Sequence, residues 1–255
     1  MSGELLVTGE GPVLSVTFNR PDQRNAMTFA MYQGLVAACE RADSDPGIRA
    51  MVLRGAGGKA FVAGTDIAQF SGFDGPAGVA YEKTIDATIR RLLDVQVPVV
   101  AAIDGFCVGG GLAIAAAADI RIAVPGARFG YPIARTLGNT LSGQSYALTL
   151  RHFGHARTVD MVMTARLFTA EELAGSGFVS RIADDVGAAT DEVVTRLVGH
   201  APLTLWAAKE TLRRLHDAAG SVDVEDVVDR VYGSADFASG VASFTTKTSA
   251  EWSGR

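Results

Sequence analysis

The sequence predicts an α/β protein, a spiral core of stacked β–α units followed by a C-terminal helical region. Short apolar strands alternate with helical segments between residues 50 and 123, which is typical of parallel strand pairing. From about residue 142, apolar side chains recur every three or four residues, which is the period of a helix. With 255 residues, 48% of them apolar, the chain can bury a large core.

The first elements are a hairpin and a helix. Alternating and β-branched residues predict strands at Leu5–Val7 and Val13–Phe18 around a turn at Gly9–Pro12. Thr28 is placed to cap a helix that runs to about Arg41, because its hydroxyl can accept a hydrogen bond from the first helical turn.

The repeated units follow. Ala50–Arg54 is a short strand, residues 54–66 read as a glycine-rich loop that continues to Phe70, and a helix runs from about Pro76 to Leu93. The next strand is PVVAAI, after which come three glycines, an alanine-rich helix and a strand in DIRIAV. These units predict a core over residues 1–200, in which FVSRI at 178–182 interrupts the helices, and a helical oligomerisation region over 201–255.

Charge and composition exclude several classes. The net charge is −5 and basic residues form no stripe, so no nucleic-acid partner is expected. The first 20 residues lack a signal-peptide pattern, and no run reaches the roughly 18 apolar residues of a membrane span, so we expect a cytoplasmic protein with no membrane partner. Cys39 and Cys107 are too few for a disulfide framework, and no Cys/His cluster predicts a metal.

The first glycine motif, RGAGGKA at 54–60, has the outline of a dinucleotide fingerprint but not its context. A dinucleotide site needs a helix to begin at those glycines, whereas a loop is expected here. The segment also lacks P-loop spacing and its hydroxyl. We therefore expect no nucleotide cofactor.

The second motif is the triplet Gly109–Gly111 at the start of an apolar helix. Taken alone, it is typical of a tight turn with close helix packing. However, AGTD at 63–66 lies one β–α unit earlier, and loops of adjacent parallel units meet at one sheet edge. Two backbone N–H groups converging there would form an oxyanion hole suited to a thioester enolate.

With these motifs in order, the chain resembles the enoyl-CoA hydratase/isomerase family, also called the crotonase superfamily. The resemblance extends over most of the chain. Its segments are NRPDQRNAMT at 19–28, KAFVAGTDIAQF at 59–70, VPVVAAIDGFCVGGGLAIAAAADIRIA at 97–123, ARFGYPIARTLGN at 127–139, TARLFTAEELAGSGFVSRI at 164–182 and ASFTTKTSAEW at 242–252.

The resemblance implies a crotonase-type spiral, a role in fatty acid metabolism and a homotrimer or dimer of trimers. It assigns the two oxyanion donors to the backbone N–H groups of Thr65 and Gly110. It also implies an acyl- or enoyl-CoA substrate, with CoA as part of the substrate and no separate cofactor. The implied CoA-binding residues are Arg24 and Lys247 near the phosphates, and the backbone of Ala26, Ala63 and Ile67 along the adenine and pantetheine.

The chain departs from the family where hydration is catalysed. Family hydratases carry one glutamate two residues after the third glycine, where this chain has Ala113, and another after the proline of FGxPE, where it has Ile133. Losing one general acid or base typically costs about 10²–10⁴ in rate. The resemblance therefore predicts a lyase or isomerase reaction on a CoA thioester rather than simple hydration.

Three side chains are candidates for the missing chemistry. Glu82, in the helix over the acyl region, is the best unpaired base, although most such carboxylates are structural. Tyr131 could donate a proton, and Arg135 could bind a substrate carboxylate or pair with an acid. For both residues, packing or loop anchoring is the favoured interpretation.

The acidic residues nearby are interpreted as structural. Asp66 is expected to cap the helix that begins beside it. Asp86 and Asp104 are assigned no chemistry, and Asp119 is expected to be a buried carboxylate that satisfies backbone donors at the start of a strand.

Cys107 is expected to be a small buried residue, since no nearby group marks an activated thiolate. His152 and His155 are separated by a glycine-broken helical face, so surface or interface packing is expected for both.

Two other functions stay open. A non-catalytic acyl-CoA-binding or carrier protein would use Ala113 and Ile133 as the wall of an apolar tunnel. An enoyl-CoA hydratase that uses other residues is the second alternative.

Overall fold

The computed structural model describes residues 3–254 and shows a mixed α/β architecture with two sheets. The α/β prediction is confirmed. The strands are β1 Leu5–Glu10, β2 Val13–Phe18, β3 Ala50–Gly55, β4 Ala60–Ala63, β5 Val99–Ile103, β6 Phe106–Val108, β7 Ile120–Ala123, β8 Arg128–Gly130, β9 Phe168–Thr169 and β10 Arg181–Ile182. The helices are α1 Phe29–Ser44, α2 Gly75–Leu93, α3 Gly110–Ala117, α4 Ile133–Thr136, α5 Gly143–Met163, α6 Ala170–Ala174, α7 Val186–Gly199, α8 Pro202–Ala219, α9 Glu225–Tyr232 and α10 Ala235–Thr246.

The chain alternates between the two sheets. One sheet has the order β1-β2-β3-β5-β7-β10 and the other β4-β6-β8-β9. Pairing is parallel except for the β1/β2 hairpin and β8/β9. The strands β3, β5 and β7 are each followed by a strand of the second sheet and then by a helix. This ββα repeat generates a spiral in which corresponding loops stack along one edge.

The second sheet was not expected. Residues 54–66 were predicted to be a loop that continues to Phe70, and that prediction is wrong over Ala60–Ala63, where β4 forms and pairs with β6. Both strands are short, with four and three residues, so neither shows an alternating pattern of its own. Their stability comes from pairing with each other and from burial against α3 and the first sheet.

Local capping signals explain where the helices begin. The Thr28 hydroxyl accepts from the Met31 amide at 3.3 Å, as predicted, and α1 continues to Ser44 rather than ending near Arg41. The Asp74 carboxylate caps α2 by accepting from the Ala77 amide at 2.9 Å. Such a cap typically contributes about 1 kcal/mol to helix stability.

The C-terminal helices differ in how far they are buried against the core. Val228, Tyr232 and Phe237 of α9 and α10 bury against Phe70 and Leu137 of the core. By contrast, α8 has no buried residue in this chain, and its exposed apolar side chains are Leu203, Trp206, Leu212 and Leu215. The division at residue 200 stays a prediction, and residues 1, 2 and 255 of the two predicted units lie outside the described residues.

No helix of residues 3–254 combines the length and apolar content needed to cross a bilayer.

Candidate active site

Two glycine loops meet at the edge of the second sheet. β4 leads into Gly64 and β6 into Gly109, and the two strands are parallel neighbours. Both glycines have positive φ, 83° and 57°. A Cβ added to Gly109 would lie 3.2 Å from the Gly64 Cα, which is tighter than ordinary packing allows. The close approach and the backbone angles of Gly109, φ 57° and ψ −129°, therefore favour glycine at 109, and the two loops converge as predicted.

The first loop is held rigidly by its backbone. The Met27 amide donates to the Gly64 carbonyl at 2.9 Å, and the Asp66 amide donates to the Met27 carbonyl at 2.8 Å. On the far side, Asp66 accepts from the Arg20 guanidinium at 2.8 Å and from the Ala68 amide at 3.2 Å, so its predicted capping role is confirmed.

The amides of Thr65 and Gly110 are left without a protein acceptor within residues 3–254. For Gly110 the reason is its position in the first turn of α3, where an amide has no carbonyl one turn earlier. Free amides in a fixed loop are donors whose hydrogen bonds need no reorganisation when an anion forms beside them.

A group missed by sequence analysis surrounds Thr65. Its Oγ1 lies 2.8 Å from the Tyr32 hydroxyl and 2.7 Å from the Tyr81 hydroxyl. A Cβ on Gly110 would collide with the Tyr32 hydroxyl and lie 3.6 Å from Thr65 Oγ1, so this group is adjacent to the glycine triplet. The only sequence signal was a tyrosine in each of the helices that flank the loop.

Glu82 is buried, with 6% of its surface exposed, and both of its oxygens are used. Oε1 accepts from the Tyr232 hydroxyl at 2.7 Å and Oε2 from the Ser142 amide at 3.0 Å. Glu82 is therefore not unpaired as expected, and its role as a base stays a prediction. Burial raises the pKa of Glu82 from 4.5 to about 7, the two hydrogen bonds oppose that rise, and the nearby Asp86 carboxylate adds to it. The carboxyl group thus titrates near neutral pH.

The two positions that lack glutamate are both apolar and buried. Ala113 on α3 is 4% exposed and Ile133 at the start of α4 is 7% exposed. Neither side chain can activate water, and both join the main hydrophobic core.

The other candidate acid and cation differ in burial. Tyr131 is fully buried, and burial raises the pKa of its phenol well above the usual range, although a hydrogen bond with Thr149 opposes the shift. Arg135 is exposed on α4, and its guanidinium makes no ion pair in the described part of the chain.

Most of the residues implied to bind CoA surround the first loop. Arg24 is exposed in a left-handed conformation with φ 50°, and its guanidinium carbon lies 5.2 Å from the centre of the Phe106 ring. Its carbonyl accepts from the Ala63 amide at 3.1 Å. Ala26 and Ile67 are half-buried, and Lys247 is exposed at the end of α10.

Asn25 was not anticipated, and it shapes the Arg24 turn. It is fully buried with φ 58°, its side-chain oxygen accepts from the Arg20 amide at 2.9 Å, and its side-chain nitrogen donates to the Ala56 and Ala60 carbonyls at 2.9 and 2.7 Å. The signal available in the sequence was that asparagine tolerates the left-handed region better than most residues.

The remaining acids are structural, with one correction. Asp86 accepts from the Ser142 hydroxyl at 2.5 Å, and burial raises the pKa of both Asp86 and Asp104. Asp119 accepts from the Val99 amide at 2.7 Å as expected, but it is exposed rather than buried and also pairs with Lys209 at 2.7 Å.

Cys107 is buried as predicted, and burial raises the pKa of its thiol. His155 is exposed. His152 instead packs inside, with Nε2 2.9 Å from the Ala116 carbonyl oxygen and its ring 5.4 Å from Phe178. His152 is therefore half-buried against its own chain rather than at the surface, and interface packing stays a prediction for both histidines. No group of His, Cys, Asp and Glu side chains within residues 3–254 is arranged to hold a metal ion.

The match to known proteins covers nearly the whole chain. The family model described as Enoyl-CoA hydratase/isomerase matches residues 8–255. A probable enoyl-CoA hydratase of Mycobacterium tuberculosis is 30% identical over 256 residues, covering 98% of each chain. A carnitinyl-CoA dehydratase of Salmonella arizonae is 32% identical over 273 residues, covering 100% of each. The crystal structure of an enoyl-CoA hydratase/carnithine racemase from Magnetospirillum magneticum superposes with a TM-score of 0.81 at 31% identity, covering 100% of this chain and 97% of that one.

A spiral of ββα units with two glycine loops converging at one edge defines the crotonase superfamily, whose members act on CoA thioesters. Within that class, the chain belongs to the enoyl-CoA hydratase/isomerase family.

Proposed function

We propose that this protein is an enzyme that binds an acyl- or enoyl-CoA and stabilises its thioester enolate between the backbone amides of Thr65 and Gly110. The observation that carries the proposal is the pair of free amides in two loops whose close approach favours glycine at 109. A thioester oxygen that becomes negative at that point would accept both hydrogen bonds, and removal of one such donor typically costs about 10²–10³ in rate.

The proposed reaction is not simple hydration. Ala113 and Ile133 replace the two family glutamates with buried apolar side chains, so water has no carboxylate there to activate it. Isomerisation, decarboxylation or carbon–carbon bond cleavage needs fewer groups, and a carboxylate on the substrate is a natural partner for Arg135. CoA is part of the substrate in each case, and no separate cofactor is proposed.

Arg24 and Lys247 are proposed to contact the CoA phosphates, and the backbone at Ala26, Ala63 and Ile67 to line the nucleotide and pantetheine. The exposed position of Arg24 beside the oxyanion loop supports this, since a guanidinium binds phosphate in a bidentate manner. The exposed apolar face of α8, where Leu203 is 76% and Leu215 64% exposed, supports a homotrimer or dimer of trimers.

The test is a thioester panel followed for binding and for product mass. We expect CoA thioesters to bind and at least one of them to be converted, with crotonyl-CoA hydrated about 10²-fold or more below a family hydratase that has both glutamates. Rapid hydration of crotonyl-CoA that is unchanged by Glu82→Gln would contradict the proposal.

Glycine substitutions provide a matched pair. Gly109→Ala places a Cβ against Gly64, whereas Gly126→Ala has a similar positive φ of 72° and no heavy atom within 4 Å. Both variants place alanine at a positive φ, but Gly109→Ala adds the contact with Gly64 and a ψ of −129° that alanine rarely adopts, so only the first should abolish turnover. Equal loss in both variants would contradict the role given to this loop contact.

Two other functions each have an observation in their favour. The apolar pair Ala113 and Ile133 favours a non-catalytic acyl-CoA-binding protein, which would bind long-chain thioesters and convert none. Glu82, with its pKa near 7, favours a hydratase that uses other residues. Crotonyl-CoA hydration that is lost in Glu82→Gln would support the hydratase.

A further inference from the structure

Three hydroxyl groups from three elements form a chain beside the proposed oxyanion hole. Tyr32 comes from α1, Thr65 from the loop after β4 and Tyr81 from α2. Thr65 Oγ1 is the middle oxygen, 2.8 Å from the Tyr32 oxygen and 2.7 Å from the Tyr81 oxygen. The side chain of Thr65 thus joins two phenols, while its amide is one of the two proposed oxyanion donors.

The number of protons sets the direction in which these three hydroxyl groups donate to one another. Three hydroxyls carry three protons, and the two hydrogen bonds between them use two. Tyr32 is 1% exposed, and of the two hydroxyls beside it Thr65 Oγ1 lies within hydrogen-bond distance, with Tyr81 the next neighbour. Its proton is therefore donated to Thr65, because a buried unsatisfied donor is costly. Thr65 then donates to Tyr81. The proton left without a protein acceptor is that of Tyr81, which lies at the partly exposed end of the chain.

Tyr81 and Glu82 are adjacent in sequence and both lie near Tyr232, but their hydrogen-bond partners differ. Glu82 is occupied by Tyr232 and Ser142. Tyr81 faces Thr65 and is flanked by the aromatic rings of Phe29, Phe70 and Phe73, whose centres lie 5.0 to 6.2 Å from its own.

The electrostatic environment keeps the Tyr81 phenol protonated. Burial raises its pKa well above 10, and Tyr32, Tyr232 and Glu82 raise it further, while its hydrogen bond with Thr65 has the opposite effect. Glu82 is the nearby carboxyl whose titration affects Tyr81, since its anion disfavours a second negative charge there. A phenol in this setting acts as a proton donor across the neutral pH range and not as a base.

We infer that Tyr81 is a catalytic acid of this protein, which delivers its hydroxyl proton to the α-carbon of the enolate held by the Thr65 and Gly110 amides. Thr65 and Tyr32 are positioning residues, because each donates along the chain and so directs the free proton outward. The inference rests on the proposed function and names a proton donor where the family glutamates are absent.

The step balances in atoms and charge. The O–H bond of Tyr81 breaks, the electron pair of the enolate double bond forms the new C–H bond, and the thioester carbonyl is restored. The phenolate left on Tyr81 accepts the Thr65 hydrogen bond, and water returns a proton to it after the product leaves. The same step serves an enolate formed by loss of carbon dioxide, by carbon–carbon cleavage or by removal of a proton elsewhere.

The experiment compares wild type with Tyr81→Phe on whichever thioester of the panel the wild type converts. We expect kcat to fall about 10²–10⁴-fold with KM changed by less than about threefold, because a general acid acts in the transition state. In D₂O the wild type should place deuterium at the α-carbon on one face, and Tyr81→Phe should lose that facial selectivity. Tyr146→Phe, on α5, is the matched control and should leave both readouts unchanged.

Thr65 provides the variant that keeps the Tyr81 ring in place. Thr65→Val retains the backbone amide and side-chain shape but removes the central hydroxyl, and should lower kcat by about tenfold or more, as expected when a hydrogen bond to a developing charge is lost. Thr65→Ser should rescue most of that loss. If Tyr81→Phe fails to fold, this pair still tests the inference.

The outcomes separate the two proposals. Normal turnover and facial selectivity in both Tyr81→Phe and Thr65→Val would overturn the inference and leave the enolate function standing. A wild-type protein that binds thioesters but converts none would overturn the inference and support the binding protein. A wild-type protein that binds no CoA thioester would overturn both.

Discussion

Replacement of Glu82 by glutamine should make the protein progressively more stable relative to wild type as pH rises. The carboxyl group is buried, and its pKa is raised from 4.5 to about 7. Between these values the unfolded chain has already lost the proton that the folded protein keeps, so wild-type stability falls with increasing pH. The gap corresponds to about 3 kcal/mol, at roughly 1.4 kcal/mol for each pH unit. Glu82→Gln removes this dependence.

The assay is urea unfolding of both proteins from pH 4.5 to pH 8 at one fixed protein concentration, because association would otherwise shift the apparent stability. The quantity of interest is the change with pH in the difference between the two unfolding free energies. Any constant cost of the amide at this site cancels from that change. Glu40→Gln, at an exposed position on α1, is the carboxylate-to-amide control.

Tyr232→Phe provides an independent check. It removes a hydrogen bond that lowers the pKa of Glu82, so the loss of stability should extend to higher pH. A stability difference between wild type and Glu82→Gln that stays flat within about 0.5 kcal/mol, or that shrinks as pH rises, would refute the reasoning from burial.

Three further variants test other buried groups. His152→Gln should change the pH dependence of stability in the opposite direction. Burial lowers the pKa of His152 to about 4, so the wild type loses stability as pH falls from 6.5 towards 4. Urea unfolding of the variant should not show that loss. Arg121→Met should destabilise the protein by about 3 kcal/mol, measured by urea unfolding near pH 7, because it leaves buried carbonyls, including that of Phe178, without their donor. Asn25→Ala should weaken CoA binding in calorimetry as well as lower the melting temperature, since three hydrogen bonds that hold the Arg24 turn are lost.

The elements of the fold that carry a pattern within their own short segment were predicted correctly. β3, β5 and β7 were found from their own apolar runs, and α1 was found from its Thr28 cap. By contrast, β4 and β6 are too short to carry a period and exist because they pair with each other. The spiral was therefore predicted from its first sheet and from family resemblance, and the second sheet was not.

In the candidate site, too, features encoded locally were predicted and contacts between residues far apart in sequence were not. The converging glycines were predicted, because parallel units stack their loops. The pairing of Glu82 was not, since its hydroxyl partner Tyr232 lies 150 residues further along the chain. The hydroxyl chain likewise joins residues separated by 33 and 16 positions, and no local pattern encodes such a contact.

The short backbone bridge between Met27 and Thr65 couples the two ends of the proposed substrate. The segment that contains Arg24 and Ala26 and the loop that contains the Thr65 amide are joined by main-chain hydrogen bonds on both sides of that bridge. On the proposed function, a nucleotide bound by the first segment would lie at a fixed distance from the reacting carbon bound at the second. A thioester lacking the nucleotide should therefore lose rate as well as affinity, because binding of the adenine positions the acyl group for reaction.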